Sequence, residues 1–435
     1  MRRSFLLFRE SIPRFGCRQA ALVLLLLLSC LAMLVAPRGI SSHEPITTKV
    51  MFNREIVRIF QRHCLACHSL GSTTNISLST YAQARPWAKA FKEEVLEKRM
   101  PPYQAVKGFG RFHNDYTLTQ HEVDQIVSWV EGGAPKGDDK DLPLEAPAWG
   151  GWVLGQPDLI LEPTKEVNIG EVNISSREAD EYRCFSLPTN LKEARWLTAV
   201  DFHPGNGAAV HSASFGIDLS PVRKTSDDAV DCAANNRTAS DGTGILGIWL
   251  PGQAVSPLPK SVARLLPAGA RIVLRIHYHK TDREVSVRSS LGLYFARGRA
   301  MKPLRTVALA APEEDIPAGA ERYRVKVSYT MQEAAAAIAI RPLLFPFAKS
   351  VEVTAHRPDG TIEVLIWARD YRYDWQPEYH FKKPVPLPQG TRLEVTAYLD
   401  NSNSNPNNPH SPARAVRFAS VLCELSFING QRKTH

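Results

Sequence analysis

The chain has 435 residues, of which 44% are hydrophobic and 22% charged, the proportions of an ordinary globular protein long enough for about three domains. Its formal net charge is +9, but the first 36 residues hold five arginines and one glutamate, which leaves +5 for the rest. With acidic and basic residues interspersed, that surplus is a solvated surface, and it excludes a nucleic-acid footprint.

Taken in order, the chain begins with Arg2, Arg3, Arg9, Arg14 and Arg18 ahead of a run from Ala20 to Ala36 that is apolar apart from Ser29 and Cys30, closed by Pro37. A basic start followed by a short apolar run is the pattern of a secretory signal. The run is slightly short for a relaxed membrane span, so residues 1–40 read as a signal peptide or an uncleaved N-terminal anchor that would tether the protein to a membrane. Either version exports the remainder, to the periplasm or beyond.

The cysteines divide along the chain. Cys17 and Cys30 fall in the signal, and Cys64 and Cys67 fall in a motif of their own. Cys184, Cys232 and Cys423 remain, and an exported compartment allows one disulfide among them with one thiol left over.

The motif is Cys64-Leu65-Ala66-Cys67-His68, a C-x-x-C-H sequence. Two thiols one helical turn apart can add to the vinyl groups of a haem, and a histidine directly after the second can turn its imidazole onto the iron. A redox dithiol would sit at a strand-to-helix junction, and half of a zinc site would need a second ligand pair nearby. Neither context is present, the next cysteine being Cys184. Covalent haem c is therefore the expected cofactor, through Cys64 and Cys67, with His68 as an axial ligand.

Around this motif the pattern predicts three helices. Ile56, Ile59, Phe60 and His63 share one face of a helix over 52–63, and a second helix is expected over 86–98. In the third, Thr119 and Glu122 form a capping box, Leu118 and Val123 a staple, Val123, Ile126, Val127 and Val130 a stripe, and Gly132-Gly133 a stop. The sixth iron ligand should follow on an extended loop. Met100 stands just before Pro101 and Pro102, and a thioether opposite imidazole raises the potential as electron transfer requires. His113 and His121 are the competing ligands. Three helices around one such turn predict a small all-α class I cytochrome c domain over 45–140, followed by a linker over 141–150.

The motif, with Arg99-Met100-Pro101-Pro102-Tyr103 and the run Trp129 to Gly137, resembles the cytochrome c domain fused to copper monooxygenase modules in bacterial exported proteins. Beyond the linker, short β-prone runs at 271–276, 322–327, 350–354 and 392–396 alternate with Gly, Pro and Asn turns, which predicts all-β sandwiches. Segments from Gly155-Gln156-Pro157-Asp158 through Pro204-Gly205-Asn206, Leu250-Pro251-Gly252 and Pro358-Asp359-Gly360 to the Asp400–Pro409 loop follow the order of the peptidylglycine α-hydroxylating and dopamine β-monooxygenase family. That resemblance implies two jelly-roll sandwiches, over 151–302 and 303–431, each holding one copper.

The implied copper ligands are incomplete. The electron-donating site has His211-Ser212 where the family has two histidines, and His277 as the third. His279, two along a strand from His277 and on the same face, is a possible replacement, with His203 beside the turn. At the oxygen-activating site the resemblance sets Leu343 and Phe345 in the places of the histidines and Leu425 in that of the methionine. These side chains offer copper no lone pair. The expectation is an exported haem c electron carrier that serves a redox partner protein, with hydroxylase activity lost and the sandwiches kept for binding or docking. The alternatives are an active copper-dependent monooxygenase fed by the haem, and a haem peroxidase or gas sensor with an open sixth position.

Overall fold

Alternating side chains build most of the molecule. Along the strand Arg392–Asn401, Leu393, Val395, Ala397, Leu399 and Asn401 are buried and the residues between them are not, as a pleat with one covered face requires. The computed structural model describes residues 47–429 apart from 70–73, 75, 144–150, 171–180, 219–244, 254, 280, 282–283, 299–300, 374 and 419.

One eight-stranded sheet runs through these residues. Its first half is Leu159–Leu161, Arg195–His203, Val262–Leu266 and Ser290–Phe295; its second is Lys302–Ala310, Ala335–Pro342, Tyr379–Leu387 and Val421–Asn429. The halves join where Val262 and Ala263 run parallel to Lys302 and Pro303. A four-stranded sheet covers each half. The first contains Glu181–Pro188, Val210–Asp218, Ile245–Trp249 and Arg271–Tyr278, and the second Ala320–Thr330, Ala348–His356, Ile362–Arg369 and Arg392–Asn401. Leu197, Phe215, Leu274 and Leu293 belong to the first core, and Ile340, Val351, Val395 and Leu425 to the second. The four strand runs expected from the sequence all fall inside observed strands.

The expected fold class needs correction. A small all-α class I cytochrome c domain is not seen: the described chain is 43% strand and 13% helix, and its longest helix, Gln120–Glu131, has 12 residues. Thr48–His435 forms one compact unit. The physical reason lies in the segment after Met100, which leaves the helices and joins the second sandwich. Val106 N–H donates to the Trp367 carbonyl (2.8 Å), and Lys382 N–H donates to that of Arg111 (2.7 Å). Ala105 and Phe112 bridge to Ala368 and Phe381 and sit in the second core. The helices keep a small cluster of their own, with Phe52, Ile56, Phe60, Ile126 and Trp129 at its centre. A core that small is a weak basis for an independent domain, and the chain that follows it adds Ala105 and Phe112 to the second core instead.

Local expectations fare better than the domain. The capping box is present, with Thr119 N–H donating to Glu122 Oε2 (2.8 Å) and Glu122 N–H to Thr119 Oγ1 (3.3 Å). Ile126 and Trp129 form the buried stripe, while Val123 and Val130 pack only partly against it. The first helix is a π-helical turn, Phe52–Ile56, running into Val57–His63. The second is broken by Pro86 into Tyr81–Ala84, a 3-10 turn and Ala88–Leu96.

The expected signal or anchor, with Cys17 and Cys30, lies outside the described residues, as does Cys232. Cys184 is disulfide-bonded, and Cys423 is a buried free thiol. Among the described residues no helix is long and apolar enough to cross a membrane.

A buried ion pair crosses the second core. Arg341 and Glu424 are cross-strand partners, 2% and 5% exposed, in direct contact. Removing one partner strands a buried charge, whereas replacing both with apolar residues does not. Arg341→Met or Glu424→Leu alone should each lower stability by about 3–5 kcal/mol, and the double variant by less than either. Urea denaturation measures this, and simple addition of the two losses would contradict it.

Candidate functional site

The C-x-x-C-H turn is set by the helix before it. Cys64 caps Val57–His63, its N–H bonded to the Phe60 carbonyl (2.8 Å), and the chain coils one turn further. Cys67 and His68 both donate to the Cys64 carbonyl, at 3.1 and 2.9 Å. Cys64 is buried, Cys67 half-buried, and neither is in a disulfide. Burial, with Cys67 and Glu122 adding to it, pushes the Cys64 thiol far above its ordinary value. Burial alone takes Cys67 to about 11. A redox dithiol needs the opposite, a readily formed thiolate.

His68 is oriented. Its Nδ1 lies 3.0 Å from the Ile76 carbonyl and 3.1 Å from Thr74 Oγ1, and Thr74 is itself bonded to the Cys67 carbonyl (2.9 Å). A carbonyl can only accept, so Nδ1 carries the proton and Nε2 keeps its lone pair. Burial lowers the imidazole's pKa against the pull of the Ile76 bond, which favours the neutral, ligating form. Two thiols one turn apart, outside any disulfide, and an imidazole fixed by an outer hydrogen bond are the groups a covalent haem would need from its protein.

The first sandwich presses on this turn. The Cys67 thiol donates to the Pro251 carbonyl (3.0 Å). A Cβ added to Gly252, at φ +77°, would lie 2.6 Å from Cys67 Sγ and 3.0 Å from Ala66 Cβ.

Met100 is half-buried on a separate turn, its N–H donating to the Glu94 carbonyl (3.2 Å). No described hydrogen bond joins it to His68. Its competitors are placed elsewhere. His113 N–H is tied to the His380 carbonyl (2.7 Å) on the second sandwich, and His121 is exposed on its helix. His63 lies between the Tyr116 carbonyl (3.0 Å) and Glu122 (3.2 Å).

The candidate copper histidines are brought together. A register shift at Val210–Ser212 sets His211 beside His277, Nδ1 to Nδ1 at 3.0 Å. The His279 ring centre lies 4.5 Å from that of His211 and 5.5 Å from that of His277. The donor type suits copper. Among the described residues no group of three His, Cys, Asp or Glu side chains is set to hold a metal ion. His211 and His277 share a hydrogen bond, and Tyr182 stacks on His277 (4.2 Å) with Arg275 over its other neighbourhood, 4.4 Å from the Tyr182 ring centre. His203 stacks on Trp152 (3.9 Å) instead of joining the group.

The positions implied for the oxygen-activating copper are packed with hydrocarbon. Leu425 is fully buried opposite Ile340. Leu343 donates its N–H to the Leu422 carbonyl (2.9 Å), and Phe345 packs on Phe418 (4.9 Å).

No family profile matches the chain, and no curated protein does. Among solved structures, the infectious bursal disease virus Gt strain is 11% identical over 60% of this chain and 76% of that one, with a TM-score of 0.19. A Paenibacillus xanthan lyase is 11% identical over 66% of this chain and 28% of its own, TM-score 0.17. The tandem CBM22 domains of Paenibacillus barcinonensis Xyn10C are 9% identical over 64% and 95%, TM-score 0.13. Likenesses this slight carry nothing over to this chain.

Sequence reasoning missed Thr74 and Ile76 as supports of His68, and Gly252 as the contact on Cys67. Ile76 acts through its backbone and leaves no side-chain signal, and Leu250-Pro251-Gly252 is legible only as a turn. Gly252→Ala should destabilise the chain more than Gly390→Ala. Gly390 has a similar φ of +82° but no neighbour closer than 3.4 Å to an added Cβ, so it meets only the backbone penalty of about 1 kcal/mol. Thermal unfolding of the two variants makes the comparison, and equal losses would contradict the contact.

Proposed function

We propose that this chain is an exported haem c protein that carries single electrons to or from a redox partner protein, and that its sandwiches serve binding and docking instead of hydroxylation. The observation that carries the reading is the fixed imidazole of His68 beside two thiols on one helical turn, neither in a disulfide. Cys64 and Cys67 would hold the haem covalently, and His68 and Met100 would donate to its iron. When bound, the haem supplies a reversible one-electron couple. The protein's own part is to keep Nδ1 of His68 protonated against Ile76 and so aim Nε2. The apolar cluster of Phe52, Phe60 and Trp129 behind the turn keeps water away. The Cys184 disulfide supports an oxidising compartment, in keeping with the basic and apolar N-terminal segment.

Copper chemistry has a weaker basis in these residues. Leu343, Phe345 and Leu425 have no donor atoms to offer, and Leu425 is fully buried in the second core. The gathered His211, His277 and His279 are the remnant that favours a second reading, one residual copper, and no step is derived through it.

Two measurements test the proposal. Met100→Ala in the haem-bearing chain should lower the reduction potential by on the order of 0.1 V and abolish the low-spin spectrum. An unchanged potential and spectrum would refute the Met100 assignment. Supplied with copper, ascorbate and oxygen, the chain should give no hydroxylated product from catecholamine-precursor or peptidyl-glycine substrates. Robust turnover would refute the loss of the oxygen-activating site.

A further inference from the structure

A cleft of about 420 Å³ lies between the two sandwiches, lined from the first by strands Arg195–His203 and Ile245–Trp249 and from the second by Tyr379–Leu387. That volume is in the range of small-molecule sites. Part of the lining is aromatic: Phe202 and Trp249 pack with ring centres 5.2 Å apart, and Phe215 joins them.

The rest is polar and bears a cationic excess. Arg264 and Lys382 line it together with Glu378, His380 and His113. The Arg264 guanidinium bonds to a hydroxyl, Thr306 Oγ1 at 3.3 Å, and not to a carboxylate. Glu378 acts on it from a distance and pairs at 3.5 Å with His380. Arg264 is half-buried, and no carboxylate is in contact with its guanidinium, so an anion entering the cleft would meet a cation without a direct counter-charge. Gln253 supplies a complementary signal. Its side-chain oxygen is closed off from solvent and accepts no hydrogen bond from a described residue. A buried acceptor left in that state is destabilising unless a donor reaches it.

We propose that this cleft binds a small aromatic monocarboxylate bearing a hydroxyl group, with the carboxylate on Arg264 and Lys382, the ring against Phe202, Phe215 and Trp249, and the hydroxyl donating to Gln253. A single negative charge suits the site better than a phosphate dianion, because Glu378 stands in the same lining and repels a second charge. The site does not depend on the haem reading. It does share a turn with the haem motif, since Pro251, two residues before Gln253, accepts the hydrogen bond from Cys67.

The test is calorimetric titration of the full exported chain with 4-hydroxybenzoate. Binding should saturate at one ligand per chain, and 4-hydroxybenzyl alcohol, which lacks the carboxylate, should bind at least tenfold more weakly. Benzoate should be weaker than 4-hydroxybenzoate in the natural chain and equal to it in Gln253→Leu. Arg264→Gln should weaken binding at least tenfold, and Lys382→Gln, an exposed change that leaves folding intact, at least threefold. Absence of saturable binding overturns the proposal. So does unaltered affinity in Lys382→Gln, which decides the matter alone should Arg264→Gln fail to fold.

Discussion

One hydrogen bond, from Nδ1 of His68 to the carbonyl of Ile76 (3.0 Å), carries most of the chemistry assigned to this chain. It determines which ring nitrogen is protonated and which keeps its lone pair, and an imidazole oriented in this way has the form that the proposed ligand role requires. The turn that makes the bond possible is itself fixed twice, by its carbonyl contacts within the C-x-x-C-H sequence and by the Thr74 hydroxyl that spans Cys67 and His68. The lowered acidity of the two thiols, caused by burial, fits the same picture, for it leaves the cysteines poor in the chemistry of a dithiol.

The helical segment is tied to the strands at two places. The strap from Gln104 to Asn114 is laid along the second sandwich, and the Leu250–Gly252 turn of the first sandwich is set against Cys67. The eight-stranded sheet that runs through both sandwiches fixes the strap and the turn relative to each other. The same long-range β pairing frames the cleft between the sandwiches.

Some of this was legible in the sequence. Thr119 and Glu122 announce a helix start because both halves of the capping box are local, and the period-two runs announce strands because the pleat is local. The domain was misjudged for the complementary reason. Helical spacing reports a helix, but whether helices close on themselves depends on what the chain does afterwards, and nothing in the side chains of Ala105 or Phe112 declares that they belong to the second core. The His211 register shift, the approach of Gly252 to Cys67 and the meeting of Arg264 with Trp249 around one cleft are contacts between residues far apart in the chain, and no periodicity encodes them.

The central claim is that Cys64, Cys67 and His68 hold a haem. The most direct measurement is an iron and copper count on the purified, exported chain, joined to a pyridine haemochrome assay after acid extraction of free haem. The account predicts one iron per chain, all of it in haem that resists extraction, and none in a Cys64→Ser, Cys67→Ser double variant. A chain without iron whose Cys64 and Cys67 thiols remain open to alkylation would contradict it.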